Sequence, residues 1–302
     1  MNRYTMSDEE REFLEKYDVS KYERPSLTAD IAVFSIMKEE TDEYRKDPEQ
    51  QLGVLLVKRN GYPYKDCWAL PGGFAEIDEN LYETALRELK EETSVDSAFI
   101  EPFGLFSDPG RDPRGWVVSQ GYLALVDAEK CKVEAGSDAG NAQWFRIRVN
   151  KTRIGNNIRV NTAEIRTRYD MTLELKSLGE ELKAVVVEKR SFRAHHETVS
   201  YEIEESGSLA FDHAKIIVMA FKALHEKASD AGRIIFDLMP ERFTLYQLQE
   251  AYEIVLGEEL TTPNFRRKIA PYVTETDEVV TGAGHRPAKL FKRNLEAFYA
   301  LD

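Results

Sequence analysis

The sequence predicts an α/β domain followed by a smaller C-terminal domain of two helices and a β-hairpin. Over residues 28–230, apolar runs of strand length alternate with amphipathic helical segments, which is typical of α/β proteins. Beyond a short connection the pattern changes, and 302 residues are enough for two domains. We therefore divide the chain into an N-terminal lead-in, an α/β domain, a linker and a C-terminal domain, covering residues 1–27, 28–230, 231–241 and 242–302.

The elements of the first domain follow from hydrophobic periodicity and turn residues. A polar helix is expected over 7–17, and an exposed hairpin-like loop over the charged residues 38–49. The apolar runs predict strands over residues 29–37, 51–59, 100–106, 117–126 and 142–147. Helical spacing predicts helices over residues 80–93 and 211–227. Alternating residues over 171–177, 182–189 and 198–205 indicate an inserted antiparallel hairpin or meander within about 150–209.

The C-terminal domain carries clear start and stop signals for its helices. Thr244 is suited to cap a helix that runs through Leu256, and Gly257 is suited to end it. A second helix is expected from Thr262 or Pro263 to about Ala270. Strand-like stretches over 272–281 and 288–293 then flank a glycine-rich turn. Helix, helix and hairpin is the order of a winged helix.

Charge and cysteine content narrow the classes of function. A formal net charge of -13 opposes binding of nucleic acid or anionic membrane by the whole surface, although a local basic patch stays open. An anionic small molecule would need a metal ion or converging arginines to offset this field. The two cysteines, Cys67 and Cys131, lack paired spacing, and no stretch is typical of a signal peptide or a membrane span. We expect a cytoplasmic protein.

The helix over 80–93 holds the most informative charges. Glu88, Glu91 and Glu92 stand at positions i, i+3 and i+4, which places the three carboxylates on one face. Like charges so placed repel unless a cation binds, and Mg²⁺ prefers oxygen ligands. A diphosphate needs such a cation, because the cation neutralises its oxygens and acidifies an attacking water. For the carboxylates alone, the alternative is an ordinary solvated face.

Neighbouring residues could support the three carboxylates. Glu79 precedes the helix and could reach the same ion, whereas Arg87 could pair with Glu91 one turn later and hold its carboxylate. Gly72 and Gly73 allow the backbone to approach a metal ion or phosphate closely.

The whole segment from Gly73 to Val95 resembles the signature of the Nudix hydrolase family, G-x5-E-x7-R-E-U-x-E-E-x-G-U, in which U is aliphatic. The matching residues are Gly73, Glu79, Arg87, Glu88, Leu89, Glu91, Glu92 and Val95. The resemblance implies an α/β/α sandwich around a mixed sheet, Mg²⁺ or alternatively Mn²⁺, and pyrophosphate hydrolysis with Arg87, Glu88 and Glu91 as catalytic residues. Ser94 replaces the second signature glycine, which bears on catalytic rate more than on binding.

Arginines are the first candidates for residues that bind the substrate. Arg111 and Arg114 lie in the turn-rich loop 108–115, and their forks suit phosphate, with ordinary surface ion pairs as the alternative. This loop and residues 68–74 are similar to those of Nudix proteins acting on ADP-ribose, which implies ADP-ribose or a related ligand. Arg59 could approach the pyrophosphate. Phe74, Phe106 and Tyr122 are candidates for stacking on adenine, with an ordinary core position as the alternative. By analogy with Nudix relatives that supply the general base from a late loop, the glutamates between 164 and 205 are candidates for that base.

The second C-terminal helix concentrates polar and basic residues suited to DNA. These are Asn264, Arg266, Arg267 and Lys268, and the expected wing adds Arg286 and Lys289. Acidic residues in the same domain weaken the electrostatic case for DNA binding. The alternative is a small packing domain with ordinary surface lysines and arginines. Residues 243–269 and 282–291 are similar to the C-terminal domain of Nudix-related transcriptional regulators of the NrtR type. That resemblance implies a dimer that binds duplex DNA under control of ADP-ribose. The alternative is a plain ADP-ribose pyrophosphatase whose C-terminal domain serves self-association.

Overall fold

The computed structural model describes residues 5–38, 50–93, 95, 98–127, 142–230, 233–280 and 287–299. Most of the expected loop over 38–49, together with Ser94, Cys131 and Arg286, lies outside these ranges. The first helix, α1 (Asp8–Lys16), begins after Ser7, whose side chain forms a capping box with Glu10. This agrees with the helix predicted over 7–17, and no residue of α1 is buried.

Within the residues that the structure describes, ten strands form one mixed sheet in the order β10-β9-β8-β7-β2-β1-β6-β5, with β3 added to β2 and β4 added to β1. Strands β1 and β6 are parallel and their neighbours antiparallel, which confirms the mixed sheet. The strands are β1 (Ser26–Lys38), β2 (Gln50–Lys58), β3 (Trp68–Ala69), β4 (Gly72–Phe74), β5 (Phe99–Phe106), β6 (Val117–Leu125), β7 (Ala142–Arg159), β8 (Thr162–Leu175), β9 (Glu180–Arg193) and β10 (His196–Glu205).

The expected insertion is a meander that extends the main sheet. Strand β7 was predicted to end at residue 147, but it continues to Arg159 by pairing with β8 as far as Thr162. Its distal residues are mostly exposed, so backbone hydrogen bonds rather than apolar burial carry the strand onward. Apolar periodicity could not predict that extension.

Helices cover both faces of the sheet. Helix α2 (Leu81–Thr93) buries Ala85 and Leu89 on one face, in a cluster separate from that of the other face. Helix α3 (His213–Asp230) buries Ile216 and Leu224 on the other face. The predicted helix over 211–227 begins later than expected because Phe211 has a φ of 52°. The predicted α/β sandwich is thereby confirmed.

The C-terminal domain has the predicted winged helix order. Its elements are a 3₁₀ helix (Arg233–Leu238), α4 (Leu245–Leu256), α5 (Thr262–Ile269), β11 (Val273–Val280), β12 (Ala288–Arg293) and α6 (Leu295–Tyr299). Thr244 forms a capping box at the start of α4, and Gly257 ends this helix with a left-handed φ of 67°. The 3₁₀ helix falls within the expected linker but buries Ile235 and Phe236, so this connection is part of the core.

One apolar core joins the two domains. Leu224 and Ala228 of α3 belong to the same buried cluster as Leu248 and Val255 of α4. Among the described residues, no helix has the length and apolar character needed to cross a bilayer.

Candidate functional site

Two glycines bring the backbone of β4 against helix α2. Gly72 has a φ of 151°, and a Cβ there would lie 2.1 Å from the Ala29 carbonyl oxygen. A Cβ on Gly73 would lie 2.2 Å from Glu88 Oε1. Gly72 therefore requires glycine, since a Cβ would collide with the backbone of β1, whereas a Cβ on Gly73 would displace the Glu88 carboxylate.

The three predicted carboxylates lie in different environments at the C-terminal end of α2. The backbone N–H of Gly72 donates to Glu92 Oε2 at 2.9 Å. Burial and the nearby charge of Glu88 raise the pKa of Glu92 to about 7, against the opposing effect of the Gly72 N–H. The Glu88 side chain is mostly covered, whereas that of Glu91 is 60% exposed. The site thus combines two half-buried carboxylates, those of Glu88 and Glu92, with the accessible carboxylate of Glu91.

Arg87 connects the acidic residues. Its Nε and Nη2 donate to Glu79 at 3.1 and 2.7 Å, and Nη2 also donates to the Phe74 carbonyl at 3.0 Å. Its Nη1 donates to Glu88 at 2.7 Å and to Glu91 at 3.3 Å. Hydrogen bonds from Arg87 lower the pKa of Glu79 to about 2. Arg87 lies at the centre of this network, and the contacts of Glu79 fix Arg87.

The donor set fits an oxygen-seeking divalent cation. Glu88, Glu91 and Glu92 project from one turn of α2, beside the backbone space that Gly73 leaves open. In the described part of the chain, no three His, Cys, Asp or Glu side chains already converge as a cation cage. Glu88 and Glu91 accept hydrogen bonds from Arg87, and Glu92 accepts one from the Gly72 N–H.

A cluster of arginines and aromatic rings contains two of the three arginines predicted to bind substrate. The guanidinium carbon of Arg59 lies 4.8 Å from the Phe211 ring centre. That of Arg114 lies 5.3 Å from the same ring and 4.7 Å from the Phe74 ring. Burial and the positive charge of Arg114 lower the pKa of Arg59, so the two cations repel each other. An anion between them would relieve that repulsion.

Arg111 is placed differently from Arg114 although both belong to loop 108–115. The Arg111 side chain is only 5% exposed, and its guanidinium donates to Asp212 at 2.7 and 3.1 Å and to Asp30 at 3.1 Å. Arg114 is 39% exposed and pairs with Asp112 of its own loop. This geometry does not favour the direct ligand contact expected of Arg111, because carboxylates of the protein already occupy its fork.

The aromatic candidates separate into core and site residues. Phe106 and Tyr122 are buried in the core, whereas Phe74 is partly exposed under Arg114. Sequence reasoning missed Phe211 and Tyr64, whose ring centres are 4.7 Å apart. Both have a positive φ, which is uncommon for bulky residues and marks the tight backbone on each side of the site. An aromatic residue two positions before a helix, or within a Gly-Tyr-Pro-Tyr turn, was the available signal.

Helix α5 presents the predicted basic residues to solvent. Asn264, Arg266, Arg267 and Lys268 are exposed, while Phe265 and Ile269 bury the opposite side of the helix. Arg267 donates to Asn264 Oδ1 at 3.2 Å. On the hairpin, Lys289 pairs with Glu275 of β11. The exposed face of α5 is therefore basic and held by apolar packing beneath it.

Comparison with known proteins agrees with this two-part architecture. The model of the NrtR DNA-binding winged helix domain matches residues 235–292, and the NUDIX domain model matches residues 44–159. The chain is 31% identical to the ADPR responsive transcriptional repressor NtrR of Acinetobacter baylyi, covering 96% of this chain and 90% of that protein. The chain belongs to the NrtR family.

Two further relatives are similar to the chain, one along most of its length and one along less than half of it. The crystal structure of Shewanella oneidensis NrtR complexed with a 27mer DNA aligns with a TM-score of 0.57 and 26% identity, over 90% of this chain and 94% of that one. An ADP-ribose pyrophosphatase of Methanocaldococcus jannaschii is 36% identical over 45% of this chain and 73% of its own length. The predicted combination of a Nudix domain with a winged helix is confirmed.

Proposed function

We propose that this NrtR family member is a cytoplasmic, homodimeric regulator that binds duplex DNA, responds to ADP-ribose and hydrolyses it. One observation carries the proposal: the carboxylates of α2 and the two arginines at Phe211 belong to the same chain as the exposed basic helix α5, and one apolar core joins the two domains. Similarity to an ADPR responsive transcriptional repressor along 96% of the chain supports the same function.

In the Nudix site, Glu88, Glu91 and Glu92 would hold Mg²⁺, with Mn²⁺ as an alternative. The ion, when bound, neutralises phosphate charge and makes an attacking water more acidic. Arg87 holds Glu88 and Glu91 in position, and Glu79 fixes Arg87. The Gly72 N–H orients Glu92, and Gly73 leaves room beside Glu88.

The diphosphate would be bound by Arg59 and Arg114, aided by the backbone of Gly72 and Gly73. Both guanidinium groups stack on Phe211, which limits their freedom and points them to a common region. Addition of water across the diphosphate of ADP-ribose gives AMP and ribose 5-phosphate. Similarity to an ADP-ribose pyrophosphatase over the Nudix part supports this reaction.

In the C-terminal domain, α5 would enter the major groove. Asn264, Arg266, Arg267 and Lys268 would face bases and phosphates, while Lys289 and Arg286 would contact the backbone from the wing. A symmetric dimer would place two such helices on a palindromic site. The kinship with an NrtR crystallised on DNA supports this part of the proposal.

Two assays on the purified full-length chain test the two halves. Incubation with ADP-ribose and Mg²⁺, followed by chromatography, should yield AMP and ribose 5-phosphate. Selection from genomic DNA fragments should enrich a palindromic sequence. Ligand binding without products would contradict the hydrolase half. Turnover without DNA retention would instead support an ADP-ribose pyrophosphatase whose C-terminal domain serves self-association.

A further inference from the structure

The start of helix α3 is attached to loop 108–115. Arg111 of the loop makes two hydrogen bonds to Asp212, the residue directly before α3. Lys215, in the first turn of α3, lies 2.5 Å from Asp108 at the other end of the loop and 3.4 Å from Asp212. Because Arg114 belongs to the same loop, a shift of Arg114 towards a ligand would be transmitted to these contacts.

The start of α3 is also attached to the segment that leads to the two site glycines. The Leu70 N–H donates to Nδ1 of His213 at 2.8 Å, and the Ala210 N–H donates to the Trp68 carbonyl at 2.8 Å. Since Nδ1 accepts a hydrogen bond, its partner nitrogen Nε2 carries the proton and faces Asp30 at 3.6 Å. Both segments that form the ligand site therefore meet at one helix end.

The far end of α3 is attached to the winged helix. His225 Nε2 lies 3.3 Å from the Leu256 carbonyl at the end of α4. Leu224 and Ala228 are buried in one cluster with Leu248 and Val255 of α4. With its 18 residues, α3 spans about 27 Å, at about 1.5 Å per residue. One continuous helix thus connects the ligand site to the DNA-binding domain.

We propose that Arg111 is a positioning residue which, through Asp212, couples ligand binding by the Arg114 loop to helix α3 and the winged helix. The inference rests on the proposed function and assigns Arg111 a role that excludes direct ligand contact. Two features support it: the Arg111 side chain is buried, and its guanidinium group makes two hydrogen bonds to the Asp212 carboxylate. Such a fork fixes geometry as well as charge, so a shift of the loop must either move α3 or break the pair.

The test compares Arg111→Lys and Asp212→Asn with the wild-type chain. Lysine keeps the charge but loses the fork, and asparagine keeps the size but loses the charge. A matched control is Arg168→Lys, because Arg168 also pairs with two carboxylates, Asp170 and Glu204, within the sheet extension. Thermal melting first establishes that each variant is folded. The ligand is α,β-methylene ADP-ribose, which prevents turnover, and the DNA is a duplex selected by the wild-type protein.

Fluorescence anisotropy then gives DNA affinity with and without saturating analogue, and calorimetry gives analogue affinity. For the wild type and Arg168→Lys, the analogue should change DNA affinity by about tenfold or more. For Arg111→Lys and Asp212→Asn this change should fall to about twofold or less, while each separate affinity stays within about threefold.

Three results would overturn parts of this scheme separately. A full ligand effect in Arg111→Lys and Asp212→Asn would refute the coupling role. A loss of analogue affinity by more than about tenfold in Arg111→Lys would show that Arg111 contacts ligand directly. An absent ligand effect in the wild type would refute the regulatory function itself, and the coupling role with it.

Discussion

The acidic face of α2 and the basic face of α5 are organised in opposite ways. On α2, Arg87 and a backbone N–H already hold Glu88 and Glu92 in fixed positions. On α5, the cations are exposed, and Arg267 donates to Asn264 on its own helix. Held carboxylates suit a reaction that depends on fixed geometry. Exposed cations suit DNA, whose phosphates complete the contacts only on binding.

The largest expected effect tests the acidic face. Glu91→Gln should lower kcat for ADP-ribose hydrolysis by about 100-fold or more, because the accessible carboxylate of the proposed metal-binding set is lost. Glu91 is 60% exposed, so the fold should tolerate the change. The assay is AMP release with Mg²⁺. Glu83→Gln on the exposed first turn is the control and should keep normal turnover. Equal activity of the two variants would refute the catalytic assignment.

The next effect tests the basic face. Replacing Arg266 and Arg267 by alanine should weaken DNA binding by roughly tenfold to a hundredfold at moderate salt. If each arginine binds a phosphate, the slope of log affinity against log salt should also shrink by about 0.9 for each arginine replaced. Filter binding over a salt series measures both. Lys183→Ala, at an exposed ion pair of the Nudix sheet, serves as the control. An unchanged slope would place the DNA surface elsewhere.

Arg114 provides a sharper test of the proposed diphosphate-binding arginines, Arg59 and Arg114. Arg114→Lys keeps the charge but loses the planar fork that stacks on Phe74 and Phe211. ADP-ribose affinity, measured by calorimetry, should fall by about tenfold, within the range for hydrogen bonds to charged groups. DNA affinity without ligand should stay at the wild-type value. A wild-type ligand affinity in this variant would exclude Arg114 from the binding site.

The smallest effect concerns pH. Burial raises the pKa of Glu92 to about 7, so this carboxyl becomes protonated as the pH falls through 7. A cation needs the charged form, and its affinity should therefore rise about tenfold between pH 6 and pH 8. Calorimetric titration of Mn²⁺ at pH 6, 7 and 8 measures this change. Glu79 has a pKa lowered to about 2 and cannot contribute in this window. A constant affinity would contradict the assignment of Glu92.

The fold could be predicted from the sequence because both domains carry local signals, such as helix caps and helical spacing. The capping residue Thr244 and the terminating Gly257 act within one helical turn, and the spacing of Glu88, Glu91 and Glu92 defines one helix face. Such features depend on neighbours in the chain, so the pattern alone predicts them.

The local sequence pattern could not predict contacts between residues that are far apart in the chain. Asp30 and Asp212 are far from Arg111 in sequence, so nothing local showed that their carboxylates occupy its fork. The same holds for Phe211, which lies close to Arg59 and Arg114 in the fold although it is far from both in sequence. Two arginines of one loop looked equivalent in sequence, and their different burial separates them in the fold.

The central claim is that the ligand site and the DNA-binding domain are linked. Calorimetric titration of α,β-methylene ADP-ribose into the free protein and into the protein saturated with its selected duplex tests this link most directly. Linkage is reciprocal, so we predict analogue affinities that differ by about tenfold or more between the two titrations, the same factor by which the analogue changes DNA affinity. Identical affinities would contradict the account and leave two independent activities on one chain.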